Sequence, residues 1–273
     1  MAGPHAAAVV GGYAGTTAGQ HPILGEEAAI TPPLSLRSVP TFASGALATV
    51  GAMIATLGAR AGTRSSRRIE PVLRTWARAW LAPAGVRLQV DGLGHVVAGQ
   101  RYVIISNHQS NLDPMVHLAG LGLPLRFLAM RELFDLPLLG PALHRIGMIE
   151  VDRDQPDATA IARAVSQALA DGANVFVFPE GGTSHDGSMN RFHIGAFAIA
   201  IEHGIPILPI ALSGTREIWA PGSNAIRRGV VRLDIQEPIP TQGLTRLDSI
   251  RLRDQAHSAI AAVHRELADV EEA

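Results

Sequence analysis

Tyr102-Val103-Ile104-Ile105-Ser106 runs directly into Asn107-His108-Gln109-Ser110-Asn111-Leu112-Asp113-Pro114. The first five residues read as a buried strand and the polar stretch as a turn, with a helix beginning near Asn111. A strand handed to a helix through a polar turn is the building unit of α/β folds. Apolar runs at 86–90, 125–129, 174–178, 205–212 and 230–235 supply further strands, and helical periodicity is clearest at 157–171, 193–203 and 249–268. The fold class expected is α/β, with a mostly parallel central sheet flanked by helices.

The turn after that strand also holds the first candidate chemistry. His108 sits at the C-terminal end of a strand, where α/β sheets place their ligands. Asp113, five residues on, is positioned to hold one ring nitrogen and fix the tautomer, leaving the other to take a proton. A second pair of the same spacing, His264 with Asp269, lies in the C-terminal helical pattern and reads as surface decoration. Three further stretches could belong to a site. Phe178-Pro179-Glu180-Gly181-Gly182-Thr183-Ser184 follows a strand as a tight turn whose N–H groups can approach an oxyanion or phosphate. Gly147 to Arg153 is a short strand ending in an arginine suited to gripping phosphate. Ile205-Pro206-Ile207-Leu208-Pro209-Ile210 is an apolar strand broken by prolines.

Composition removes many alternatives. The 273 residues contain no cysteine, and all 23 basic residues are arginine. Thiolate nucleophiles, Cys-ligated metals, Schiff bases and a P-loop lysine are therefore excluded. There is also no G-x-S-x-G elbow, so a His–Asp pair without a protein nucleophile points to activation of a substrate hydroxyl. A net charge of −1 argues against a nucleic-acid binder.

The organisation expected is a flexible tail over 1–36, a membrane-associated helical segment over 37–82 and a catalytic domain over 83–273. Ser38 to Ala59 carries no charge and as a helix spans roughly 33 Å, about one bilayer core. Its sparse bulky residues fit a weak spanning helix, an interfacial helix or a helix on the domain surface. Arg60, Arg64, Arg67, Arg68, Arg74, Arg78 and Arg87 then face only one acid, Glu70, and Ile69, Val72, Leu73, Trp76 and Trp80 form a stripe. This pattern suits an anionic membrane surface, on its cytoplasmic face by the positive-inside rule.

Taken in order, these pieces resemble the glycerophospholipid acyltransferase family, over about residues 70–265. Asn107, His108, Ser110 and Asp113 match the family's N-H-x-S-x-x-D motif, and Gly147 through Arg153 the glycine–strand–arginine motif. Phe178, Pro179, Glu180, Gly181 and Ser184 match F-P-E-G-T-R-S, and Ile205 to Ile210 the last, proline-containing strand. Arg191 to Phe197 is similar to the F-K-x-G-A-F segment that follows the third motif. The resemblance implies that His108 and Asp113 are catalytic, and that Arg153, Glu180, Gly181, Gly182, Thr183 and Arg191 bind substrate with Asn107, Ser110 and Pro179 in support. It implies transfer of an acyl group from acyl-CoA or acyl carrier protein to a lysophospholipid hydroxyl, with 1-acyl-sn-glycerol-3-phosphate the leading acceptor. It implies neither a metal nor a permanently bound cofactor. Gly182 and Thr183 stand where the family has Thr and Arg, and that arginine is commonly assigned to the acceptor's phosphate. Other lyso-lipid or alcohol acceptors, or an inactive lipid-binding protein, therefore remain as alternative readings.

Overall fold

The computed structural model describes Leu36 and residues 38–58, 66–184 and 186–272, with backbone alone for 66–68 and 268–272. The expected tail and Arg37, Arg60 and Arg64 otherwise lie outside the described residues.

Seven strands form one sheet: β1 (Val86–Asp91), β2 (Val103–Ser106), β3 (Leu125–Met130), β4 (Ile149–Val151), β5 (Asn174–Val177), β6 (Ile207–Ser213) and β7 (Gly229–Ile235). Their order in space is β1-β7-β6-β2-β5-β3-β4. β6, β2, β5, β3 and β4 all run parallel, and only the β6–β7 pairing is antiparallel. The expected strands are all present, and the mostly parallel sheet is as the sequence predicts. The central strands are buried at every position because both faces are covered.

Alternation along the strands divides the core in two. Ile104, Phe176 and Leu208 face helices α2 (Ser66–Ala84) and α3 (Asp113–Gly120). Val103, Val175 and Ile207 face α6 (Ala158–Ala170), α7 (Gly195–His203) and the C-terminal α9 (Ser249–Glu272). Three short helices escaped the sequence reading: α4 (Arg131–Phe134), α5 (Leu139–Ile146) and α8 (Thr215–Ile218). They are too brief to show a period.

The N-terminal helix α1 (Ser38–Gly58) packs along α2 and touches α5. The arginine-rich stripe is where structure and expectation part. Ile69, Leu73, Ala77 and Leu81 of α2 are buried in the domain core, so the helix is part of the catalytic unit's packing. Trp76 and Trp80 turn toward α1 instead of outward. Trp76 Nε1 donates to Thr49 Oγ1 at 2.9 Å, and Trp80 stacks on Trp219 with ring centroids 5.8 Å apart. Gly45 permits this approach, since any side chain there would collide with the Trp80 indole.

Glu70, the lone acid of that run, pairs with Arg126 at 2.7 Å in the interior. Burial pushes the Glu70 carboxyl above its usual range despite the guanidinium beside it. Desolvation outweighing attraction marks the pair as a joint between α2 and β3 more than a source of stability.

Beneath the turn after β2, His117 of α3 is fully buried and donates from Nδ1 to the Asp113 carbonyl at 2.7 Å. Burial lowers its pKa from the ordinary 6.5 to about 4. Between those values the unfolded chain binds a proton that the folded protein refuses, so stability falls as pH drops from about 6.5 to about 4. The loss reaches about 3 kcal/mol at the acid end. His117→Leu is expected to flatten this part of the melting-temperature profile, measured by calorimetry across that range. A variant as acid-sensitive as the parent assigns the loss to other groups.

Candidate active site

β6, β2 and β5 are adjacent and parallel, so their C-terminal ends open side by side. β2 delivers Asn107 and His108, β5 delivers the Phe178–Ser184 turn, and β6 delivers Gly214-Thr215-Arg216. Residues far apart in the chain thus meet in one crevice, at the edge where α/β sheets bind ligands.

Each letter of the first motif has a physical task. Asn107 is fully buried and bridges β2 to β6, donating from Nδ2 to Leu212 O at 2.9 Å and accepting from Leu212 N at 2.8 Å. The neutral amide offers both a donor and an acceptor there, which an aspartate could not. Ser110 donates to the Trp219 carbonyl at 2.7 Å and accepts from Leu112 N at 3.1 Å, which ties the turn to the segment after α8. Asp113 is fully buried, and its Oδ2 accepts from Gln109 N at 2.6 Å, Ser110 N at 2.9 Å and His108 Nδ1 at 2.8 Å. A carboxylate only accepts, so Nδ1 carries the ring proton and Nε2 keeps its lone pair. The His108 side chain is 18% exposed, so the ring is accessible from the crevice.

The third motif closes around that ring. Phe178 stacks on the imidazole with centroids 4.1 Å apart and planes 14° from parallel. Thr183 Oγ1 lies 3.3 Å from Nε2, the position a reacting hydroxyl needs. Gly181 adopts φ 74°, and a side chain there would press on His193. Glu180 does not point outward. Its Oε1 accepts from His108 N at 2.7 Å and its Oε2 from Asn190 N at 2.8 Å, so the carboxylate buckles the two turns together. Burial raises its pKa against the pull of those bonds. Ser184 N donates to His108 O at 2.8 Å and completes the closure.

The structure therefore brings together Asn107, His108, Ser110, Asp113, Pro179, Glu180, Gly181 and Thr183, with Gly182 partly exposed between them. The two expected arginines stand apart. Arg153 is exposed beyond edge strand β4, three strands from β2 and so about 14 Å away across the sheet. Arg191 is exposed beside buried Phe192.

One expectation needs correction. His264 is not surface decoration: its Nε2 lies 3.0 Å from Gln109 Nε2, which also donates to Gly187 O at 3.0 Å. The side chain of Asp269 lies outside the described residues. Helical spacing could not reveal this, because α9 reaches the turn from the opposite end of the chain. Arg216 was also missed. Its Nη1 donates to Ser184 O at 3.1 Å, placing a cation against the third-motif turn that lacks the family's arginine. The run Ser213-Gly214-Thr215-Arg216 after a strand was the available signal. Among the described residues, no three His, Asp or Glu side chains gather as a metal site.

The Acyltransferase family profile matches residues 87–213. Human 1-acyl-sn-glycerol-3-phosphate acyltransferase alpha is 36% identical over 188 residues, covering 67% of this chain but only 65% of that protein. A lyso-ornithine lipid O-acyltransferase of Pseudomonas aeruginosa is 31% identical over 206 residues, 69% of this chain and 79% of that one. The crystal structure of the 1-acyl-sn-glycerophosphate acyltransferase PlsC from Thermotoga maritima superposes with a TM-score of 0.72 at 20% identity, over 85% of this chain and 95% of that one, and so shares the fold. The matched domain, with a relative 31% identical that is covered over 79% of its length, places this chain in the acyltransferase family.

Proposed function

We propose that the protein moves a fatty acyl group from acyl-CoA or acyl carrier protein to the free hydroxyl of 1-acyl-sn-glycerol-3-phosphate, forming phosphatidic acid. The observation that carries this reading is the 2.8 Å His108 Nδ1–Asp113 Oδ2 contact, which holds the ring proton on Nδ1 and turns Nε2 toward the Thr183 hydroxyl 3.3 Å away. Nε2 takes the proton of the acceptor hydroxyl where Thr183 Oγ1 now stands. The oxygen attacks the thioester carbonyl carbon, the C–S bond breaks, and the leaving thiolate recovers the proton from the imidazolium. General-base help contributes about 10² to 10⁴ in rate, and orientation by the two closed turns supplies much of the rest. The Glu180–Thr183 turn is assigned to the acceptor's headgroup, and Arg153 and Arg191, which stand outside the crevice, to the part of its phosphate that extends beyond that turn. Thr183 in place of the family's arginine, together with the similarity to a lyso-ornithine lipid acyltransferase, favours a second reading in which the acceptor is another lyso-lipid.

Membrane association follows from the acceptor being a lipid and from α1, which is long and apolar enough to cross a bilayer yet only 17% buried over its apolar window. The reading favoured is a helix lying in the interface. Ser38 Oγ accepts from Ile226 N at 2.9 Å, Phe42 meets Trp219 edge-on at 5.3 Å, and α1 contacts α5 as well as α2. A spanning helix would carry one end about 30 Å away from the domain and forfeit these contacts. Leu47, Val50, Ile54 and Leu57 remain exposed on the outward side, as do Leu136 and Leu138 ahead of α5. The cytoplasmic face is assigned from the arginines around α2.

His108→Ala is expected to lose nearly all transfer while folding normally, and Asp113→Asn to fall by orders of magnitude because the amide favours the wrong tautomer. Steady-state assays against a panel of lyso-lipids, with calorimetry as the folding check, test both; near-parental turnover of His108→Ala would falsify the general-base role.

Arg153→Ala should raise the apparent KM for a phosphate-bearing acceptor far more than for the acyl thioester. Equal effects on both substrates would assign Arg153 a structural task.

The chain lacks cysteine, so Val39→Cys and Leu57→Cys each introduce a single reporter near one end of α1. In sealed inverted membrane vesicles both sites should react equally with an impermeant maleimide. Labelling at only one of them would establish a spanning helix.

A further inference from the structure

A cavity of about 880 Å³ lies between the start of α1, the end of α2 and the loop leading to β7. Pro40 and Thr41, Pro83 and Ala84, and Arg227 and Arg228 form most of its wall, and no acidic residue lines it. Both arginines are exposed and neither enters an ion pair among the described residues. The stem of Arg228 lies over Gly85, where a side chain would displace it.

The first turn of α1 faces the same space through Pro40 and Thr41. The opening N–H groups of a helix have no intrahelical partners and carry the positive end of its dipole. A helix start alone is not a site, but Thr41 adds an independent sign. It is fully buried, it lines the cavity, and its hydroxyl has no hydrogen-bond partner. A buried hydroxyl left in that state is unfavourable unless an incoming oxygen completes it.

We infer that this cavity binds the phosphate of an anionic phospholipid headgroup, through the Arg227 and Arg228 guanidinium groups, the first turn of α1 and the Thr41 hydroxyl. Planar guanidinium forks match phosphate oxygens well. The lipid's acyl chains would leave along the exposed apolar row of α1, which starts at Val39 and continues through Leu47 and Val50. The site is separate from the catalytic turn and independent of which lyso-lipid is acylated; it rests only on the reading that α1 meets the membrane.

The test is flotation of the full-length protein with phosphatidylcholine vesicles, with and without phosphatidylglycerol. Arg227→Ala/Arg228→Ala should reduce partitioning onto the anionic vesicles about tenfold, with neutral-vesicle binding and activity on detergent-dispersed substrate unchanged. Thr41→Val, which alters no charge, should weaken anionic binding without lowering the melting temperature. Arg251→Ala/Arg265→Ala removes equal charge from α9, on the other face of the sheet, and should have no effect. Equal losses from both arginine pairs, or none from Arg227→Ala/Arg228→Ala, overturn the site. Failure of the parent protein to bind any vesicle overturns the membrane reading and this inference with it, while leaving the acyl transfer assignment untouched. Melting curves separate the sources of phosphate: soluble dihexanoyl phosphatidylglycerol should raise the melting temperature at constant ionic strength more than inorganic phosphate does. An equal rise with inorganic phosphate makes this a free-phosphate site and overturns the lipid assignment.

Discussion

The buried carboxylate of Asp113 organises the C-terminal edge of the central strands. One oxygen gathers two backbone N–H groups and the His108 ring nitrogen, so the turn after β2 is wound around a single point. Remove that acceptor and three donors lose their partner in a region from which water is excluded, where an unmatched group costs about 1–3 kcal/mol. The same contact sets the tautomer of His108. Structure and chemistry here depend on one atom.

The surrounding elements extend that constraint outward. Asn107 fixes the turn to β6, Glu180 fixes it to the turn after β5, and Ser110 fixes it to Trp219. Glu180 illustrates how a carboxylate in an active-site motif can serve geometry: both its oxygens hold backbone N–H groups, and its burial opposes ionisation. The His108 ring is gripped at Nδ1 by Asp113, on its face by Phe178 and through its own backbone by Glu180. Its Nε2 faces the Thr183 hydroxyl.

Trp219 links this centre to the exposed apolar helix α1. Its carbonyl receives Ser110, and its ring packs against Phe42 of α1 and Trp80 of α2. A helix lying on a membrane would thus rest within one side chain of the catalytic turn. With the lipid acceptor proposed above, this would place the crevice near the surface from which that acceptor comes.

The sequence by itself determined the fold class, since apolar runs and helical periods are local properties that need no partner to be read. It also determined the His108–Asp113 pair, because five residues across one turn leave the chain little freedom to separate them. The identity of the strands' neighbours was decided only in three dimensions. That order alone brings Glu180 and Arg216 to His108 and leaves Arg153 at the far edge. The tryptophan stripe shows the same limit: periodicity reveals that a helix has an apolar side, whereas the tertiary structure decides whether core, neighbouring helix or membrane covers it. In α2 the core took Ile69 and Leu73 while α1 took Trp76 and Trp80. His264 was beyond sequence reading for a related reason. Its partner Gln109 lies 155 positions away, and only the packing of α9 against the sheet closes that distance.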